Sequence, residues 1–315
     1  MPPAADPAAR GPRAPAVPRP DPGVTLRETG AGVEPRVPSP LLPVEDVRLR
    51  GVRLFLKRDD LIHPEVTGNK WRKLKHNLTA AAGHERILTF GGAYSNHIRA
   101  TAAAGRLHGF ETVGVIRGEE HLPLNPSLAY AVSRGMRLTY LDRAAYRRKT
   151  EPAVLDRLRE EWGDFYLLPE GGSNAHAVRG CAELPAEVGV PYDVICCPAG
   201  TGGTLAGIAA GLPPGARAIG FSVLKGGAFL TGEVARLQTE AYGGPRGFWH
   251  VETGFHFGGY AKSTPELDAF AAGFADRHGI ALDPVYTAKM MYGVYALAGR
   301  GVLAPGARVV AVITG

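Results

Sequence analysis

Along most of the chain, short apolar runs alternate with stretches whose apolar positions recur every three or four residues. The runs at 52–57, 86–90, 112–116, 137–141, 193–197, 218–222 and 309–313 predict β-strands. The periodic stretches at 70–82, 96–108, 153–162, 205–212, 265–278 and 284–298 predict helices. Strand and helix in regular alternation imply parallel sheets with right-handed crossovers, an α/β protein. Residues 1–23 fall outside the pattern. They are mainly Pro, Ala and Arg with almost no large apolar side chains, and they predict a disordered leader.

Composition adds limits. Of 315 residues, 45% are hydrophobic and 21% charged, enough for a real core. The net charge of +6 raises nucleic acid as a partner. The main basic cluster, Arg143, Arg147, Arg148 and Lys149, belongs to no nucleic-acid motif and reads as a solvated helix face. Residues 194–216 carry no charge and are long enough to span a bilayer. Pro198, Pro213, Pro214 and six glycines break that stretch into strand, loop and helix, so no membrane partner is expected. The N-terminus lacks the apolar segment of a signal peptide, and Cys181, Cys196 and Cys197 cannot build a disulfide framework. A reducing, cytoplasmic location is the expectation.

Two local patterns carry chemistry. After the strand at 193–197, Ala199, Gly200, Thr201, Gly202, Gly203 and Thr204 lead into a helix. Backbone N–H groups of a Gly-rich loop at a helix N-terminus form an anion site, and two threonines add hydroxyl donors. The loop lacks the lysine of a nucleoside-triphosphate loop and the spacing of a dinucleotide fingerprint. The second pattern is Thr67-Gly-Asn-Lys-Trp-Arg-Lys-Leu74. Lys70 follows a Gly-Asn turn at a helix start, whose dipole disfavours a further cation, as a Schiff-base lysine requires. Lys73 and Lys75, further along, are expected to face water. Phe90-Gly-Gly-Ala-Tyr-Ser-Asn96 and Glu170-Gly-Gly-Ser-Asn174 each place a Gly pair before a helix-opening Ser-Asn. Capping explains Ser173 and Asn174; Ser95 and Asn96 are assigned function.

With Leu56-Lys-Arg-Asp-Asp-Leu61, Gly91-Gly-Ala-Tyr-Ser-Asn-His97 and Leu282-Asp-Pro-Val-Tyr-Thr287, these motifs stand in a fixed order. Together the chain resembles the 1-aminocyclopropane-1-carboxylate deaminase and D-cysteine desulfhydrase family of fold-type-II pyridoxal phosphate enzymes, from about residue 40 to the end. The resemblance implies a two-domain, tryptophan synthase β-like fold with parallel sheets flanked by helices. A large cofactor-binding domain would combine 24–72 with 170–315, and a small domain would hold 73–169. It implies pyridoxal 5′-phosphate on Lys70, its phosphate on residues 199–204, and a homodimer. Asn96 matches the partner of the cofactor 3′-oxygen. Ser95, Asn96 and His97 match the stretch holding the substrate carboxylate, with Ser95 also able to move a proton. Tyr286 matches a tyrosine beside the reacting carbons, and Tyr260, at a different spacing from the following Pro, matches another.

Two departures bear on the reaction. Thr287 stands where ring-opening members carry Glu, so the pyridine nitrogen would meet a neutral partner and the electron sink would weaken. The sequence ends Ile313-Thr-Gly315 where the family shows His-Thr-Gly-Gly and more; Thr314 would contact the ring nitrogen. The expected function is elimination on a small amino acid, D-cysteine foremost, giving pyruvate, ammonia and sulfide. The alternatives are opening of 1-aminocyclopropane-1-carboxylate, and cofactor binding with impaired turnover.

Overall fold

The protein was analysed as a computed structural model, which describes residues 33–314; the leader expected at 1–23 lies outside them. In chain order the strands are β1 (Leu41–Val44), β2 (Arg53–Arg58), β3 (Arg86–Gly91), β4 (Glu111–Arg117) and β5 (Arg137–Leu141), then β6 (Tyr166–Leu168), β7 (Val194–Ala199), β8 (Arg217–Ser222), β9 (Phe248–Glu252) and β10 (Arg308–Ile313). They form two sheets, ordered β1-β2-β10-β7-β8-β9 and β5-β4-β3-β6. Among the described residues only β1 pairs antiparallel, with β2, and every other pairing is parallel. The smaller sheet is built from one continuous stretch, whereas the larger draws strands from both sides of it.

The helices are α1 (Asn69–Ala80), α2 (Asn96–His108), α3 (Pro126–Ser133), α4 (Arg143–Arg147) and α5 (Pro152–Trp162). They continue as α6 (Ala175–Cys181), α7 (Gly203–Ala210), α8 (Leu230–Tyr242), α9 (Pro265–His278) and α10 (Thr287–Gly299). Among the described residues no helix is long and apolar enough to cross a membrane.

Helices cover both faces of the larger sheet, so its central strands must be apolar on both sides. In β7, Val194 and Cys196 pack with α9 and α10, while Ile195 and Cys197 pack with α6, α7 and α8. Alternation along β10 is the same: Val309, Ala311 and Ile313 go one way, Val310 and Val312 the other. The cysteines are therefore core residues, and burial pushes the Cys196 thiol up to about 12.

Every strand and helix expected from the pattern is present, with ends shifted by three residues at most. The pattern does not predict the short β1, β6 and β9, nor α3, α4 and α8, and it gives α6 only through its Ser-Asn start.

One buried charge cluster fixes α1 to the larger sheet. Arg72 gives a bidentate pair to Asp59 (2.7 and 2.9 Å) and another to Glu187 (2.7 and 2.8 Å). Ser39 donates to Asp59 at 2.6 Å, and Lys57 donates to the Ser39 carbonyl at 2.7 Å. Burial pushes the Lys57 ammonium below its ordinary value, with Glu187 and Asp59 pulling it partly back. Breaking such a set from one side costs about 3–5 kcal/mol, because the remaining charge stays buried.

Candidate active site

Gly68 begins the site. Its φ of +60° and ψ of −139° suit glycine alone, and a Cβ there would lie 1.4 Å from the Thr314 carbonyl oxygen. This contact seats the start of α1 against the end of β10, at the carboxyl edge of the larger sheet, where open α/β sheets bind ligands. Lys70 sits in the first turn of α1. Its side chain keeps some solvent contact while protein surrounds it, and burial lowers its pKa to about 7, helped by repulsion from Lys73 and opposed by Cys181.

Beside it stands the Gly-rich turn. Ala199 closes β7, Gly202 adopts φ +76°, and Gly203 and Thr204 already belong to α7, so the loop is shorter than expected. Thr204 Oγ1 accepts from Asn69 Nδ2 at 2.8 Å, which ties the turn to the start of α1.

Lys73 does not face water. It is buried, and its Nζ donates to the Gly171 carbonyl and to Ser173 Oγ, each at 2.9 Å. Ser173 is likewise not the cap of α6; Asn174 is, accepting from Ala177 N at 3.0 Å. Ser173 Oγ instead lies 2.7 Å from Thr201 Oγ1. A Cβ on Gly203 would come within 2.6 Å of Ser173 Oγ and 3.3 Å of Lys73 Nζ. Turn, hydroxyls and buried lysine thus pack closely together, a set of donors whose chemistry fits a phosphate group. Lys75 does face water, paired with Glu183 at 2.6 Å.

Ser95 caps α2, its Oγ accepting from Ile98 N at 3.4 Å, and Asn96 opens the helix. Asn96 and Thr67 line a cavity of about 430 Å³, together with Arg99, Ser127 and Tyr130. The His97 ring turns inward instead. Its Nε2 lies 2.8 Å from Thr89 Oγ1, beneath Gly172, and burial, reinforced by Lys70 and Lys73, holds its pKa well below the ordinary value. The His97 ring is thus buried, its Nε2 held by Thr89 and its Nδ1 without a hydrogen-bond partner among the described residues.

The Asp283 carboxylate caps α10, accepting from Tyr286 N at 2.7 Å, Thr287 N at 2.8 Å and Thr287 Oγ1 at 2.6 Å. The cap sets Tyr286 over the Gly-rich turn, where a Cβ on Gly200 would meet its ring at 3.4 Å. The Tyr286 hydroxyl donates to that of Tyr260 at 3.4 Å, and the rings meet edge to face. Burial, then Tyr260, raises the Tyr286 pKa well above 10, so its phenol keeps its proton. Thr287 and Thr314 are both buried.

The Gly-rich turn is thus tied to the start of α1 through Asn69 and Thr204, and lies against the ring of Tyr286, which in turn meets Tyr260. Reading residues alone misses Lys73, Ser173 and Asn69, whose partners lie roughly 100 positions away or more.

The pyridoxal-phosphate dependent enzyme family matches the chain over residues 34–315. A Pyrococcus horikoshii protein provisionally named a 1-aminocyclopropane-1-carboxylate deaminase is 32% identical over 80% of this chain and 82% of its own length. A D-cysteine desulfhydrase of Klebsiella pneumoniae is 32% identical over 78% of this chain and 80% of its own. The solved structure of an ACC deaminase homologue superposes with a TM-score of 0.78 at 28% identity, covering 90% of this chain and 91% of that one. The chain belongs to the pyridoxal-phosphate dependent enzymes, in the family of the 1-aminocyclopropane-1-carboxylate deaminases and D-cysteine desulfhydrases.

Proposed function

We propose that this enzyme eliminates the β-substituent of a small D-amino acid, with D-cysteine the leading substrate. The observation that carries the choice is Thr287, a neutral side chain whose hydroxyl is committed to Asp283. Pyridoxal phosphate, when bound, supplies an electron sink for the substrate α-carbon. A neutral partner at its ring weakens that sink and favours a substrate with a good leaving group.

In this reading Lys70 anchors the cofactor, and its amine, near pKa 7, takes the α-proton at neutral pH. The start of α2, with Ser95, holds the substrate carboxylate. The hydrogen-bonded phenols of Tyr286 and Tyr260 together give the departing sulfur its proton. The bond from the β-carbon to sulfur breaks with its electron pair on sulfur, and water supplies the oxygen of pyruvate as ammonia leaves. We further propose that the two sheets are the cores of the two domains, 24–72 with 170–315 and 73–169, and that the enzyme acts as a homodimer.

The test is a substrate panel. D-Cysteine and β-chloro-D-alanine should yield keto acid and ammonia faster than 1-aminocyclopropane-1-carboxylate does. Ring opening as fast as elimination would reverse the ranking, and no product from any substrate, with cofactor absorbance retained, would leave a binding protein.

Lys70 also sets a pH dependence. With a pKa of about 7, its uncharged fraction climbs from about a tenth at pH 6 to about nine tenths at pH 8. Cofactor uptake by apo-protein, monitored by stopped-flow absorbance, should rise about tenfold over that interval and then level off. A lysine at the ordinary value of about 10.4 would keep rising about tenfold per pH unit to pH 9 and beyond.

A further inference from the structure

Lys289 is fully buried, and no role above uses it. It sits on α10 one turn after Tyr286, and its Nζ donates to the Gly259 carbonyl at 2.7 Å. Burial pushes its ammonium below the ordinary value, and Asp283 pulls it back up. A buried ammonium with one main-chain acceptor costs stability that an apolar side chain would not. What it holds explains its place. Phe257, Gly258, Gly259 and Ala261 have φ of +50°, +90°, +115° and +53°, a left-handed run that two of these residues adopt against their own preference. Tyr260 sits inside this run and is 42% exposed, so little packing fixes its ring. The bonds within the run are local, from Gly259 N to the His256 carbonyl and from Lys262 N to the Gly259 carbonyl. At its entry the Phe257 ring rests on Tyr292 of α10. The Lys289 bond is the tie from the residue beside Tyr260 to the helix that carries Tyr286.

We infer that Lys289 is a positioning residue for Tyr260: by holding the Gly259 carbonyl it fixes the left-handed loop, and so sets one phenol against the other. The inference rests on the proposed role of the two tyrosines at the substrate. Lys289→Met keeps the side-chain length and removes the donor. It should lower kcat about 10- to 100-fold, the cost of misplacing a reacting group, with cofactor absorbance kept. In a Tyr260→Phe background the same change should cost less than about twofold, because the group it positions is already lost. In apo-protein, amide hydrogen exchange at 257–262 should quicken in Lys289→Met while β7 and β10 stay protected. Equal losses in both backgrounds, or unchanged exchange at 257–262, would overturn the inference. Full activity in Tyr260→Phe alone would instead remove the role of the tyrosine, and the inference with it. If Lys289→Met does not fold, Gly259→Ala serves. It leaves Lys289 intact, presses a Cβ to 3.3 Å from the Lys225 Cβ, and should show the same dependence on Tyr260.

Discussion

Lys70→Ala should leave a folded protein without turnover, a loss of about 10³-fold or more, and without the visible band of the covalently held cofactor. Anchor and base would go together. The fold should survive, because Arg72, not Lys70, joins α1 to the buried charge cluster. The competing amine is Lys73, three residues on and also buried. Burial lowers the pKa of both lysines, but the Lys73 nitrogen is already engaged by Gly171 O and Ser173 Oγ, whereas Lys70 also feels the repulsion of Lys73. Borohydride reduction and peptide mapping decide: the tag should sit on Lys70, and a tag on Lys73 would exchange the two roles. Lys75→Ala, which removes only an exposed pair with Glu183, should change neither absorbance nor rate.

Gly203→Val should cut cofactor affinity more severely than any other single change in the turn. Even a Cβ would press within 2.6 Å of Ser173 Oγ, and the branched side chain would push Ser173 and Lys73 away from the start of α7. Losing one or two charge-assisted bonds to a phosphate costs about 1.5–3 kcal/mol each, so the dissociation constant should rise at least about tenfold and up to about 10⁴-fold. Turnover at saturating cofactor should suffer less. Gly232→Ala, on the exposed side of α8 with open space around it, is the control and should bind cofactor normally. Equal affinity in the two variants would remove the turn from the phosphate site.

The parts of this fold that can be read from residues are those whose information is local. The pattern places β5, α2 and α9 with correct ends, because apolar period and capping residues agree within each segment. The strands that escape it are edges or fragments. β1 contains Pro43, β6 has three residues, and β9 presents Phe248 at 82% exposure, so none shows the buried alternation of a central strand. In α8 the apolar period of Leu230, Val234 and Leu237 is clear, yet Gly232 and the glycines before it mask the start. The site divides the same way. Lys70 and the Gly-rich turn announce themselves by neighbours in sequence. Lys73 does not: a lysine on a helix reads as solvated, and only a partner 100 residues away, Ser173, turns it inward. Ser173 misleads for the same reason, since an adjacent Asn takes the capping bond that a Ser there ordinarily makes.

Three successive tasks are packed into the first turns of α1. Asn69 reaches the Gly-rich turn at Thr204, Lys70 is the proposed anchor, Arg72 reaches the ion cluster, and Lys73 reaches Ser173. These directions fan over nearly half the circumference of the helix, so α1 is keyed like an axle with teeth along one broad side. One residue inserted or deleted between Gly68 and Asn69 shifts all of these positions by about 100°, and one placed later shifts every position beyond it. Substitutions in this segment can be graded, one role at a time; changes of length cannot. Natural or engineered diversity in this protein should therefore find its insertions elsewhere, and leave the spacing from Gly68 to Lys73 fixed.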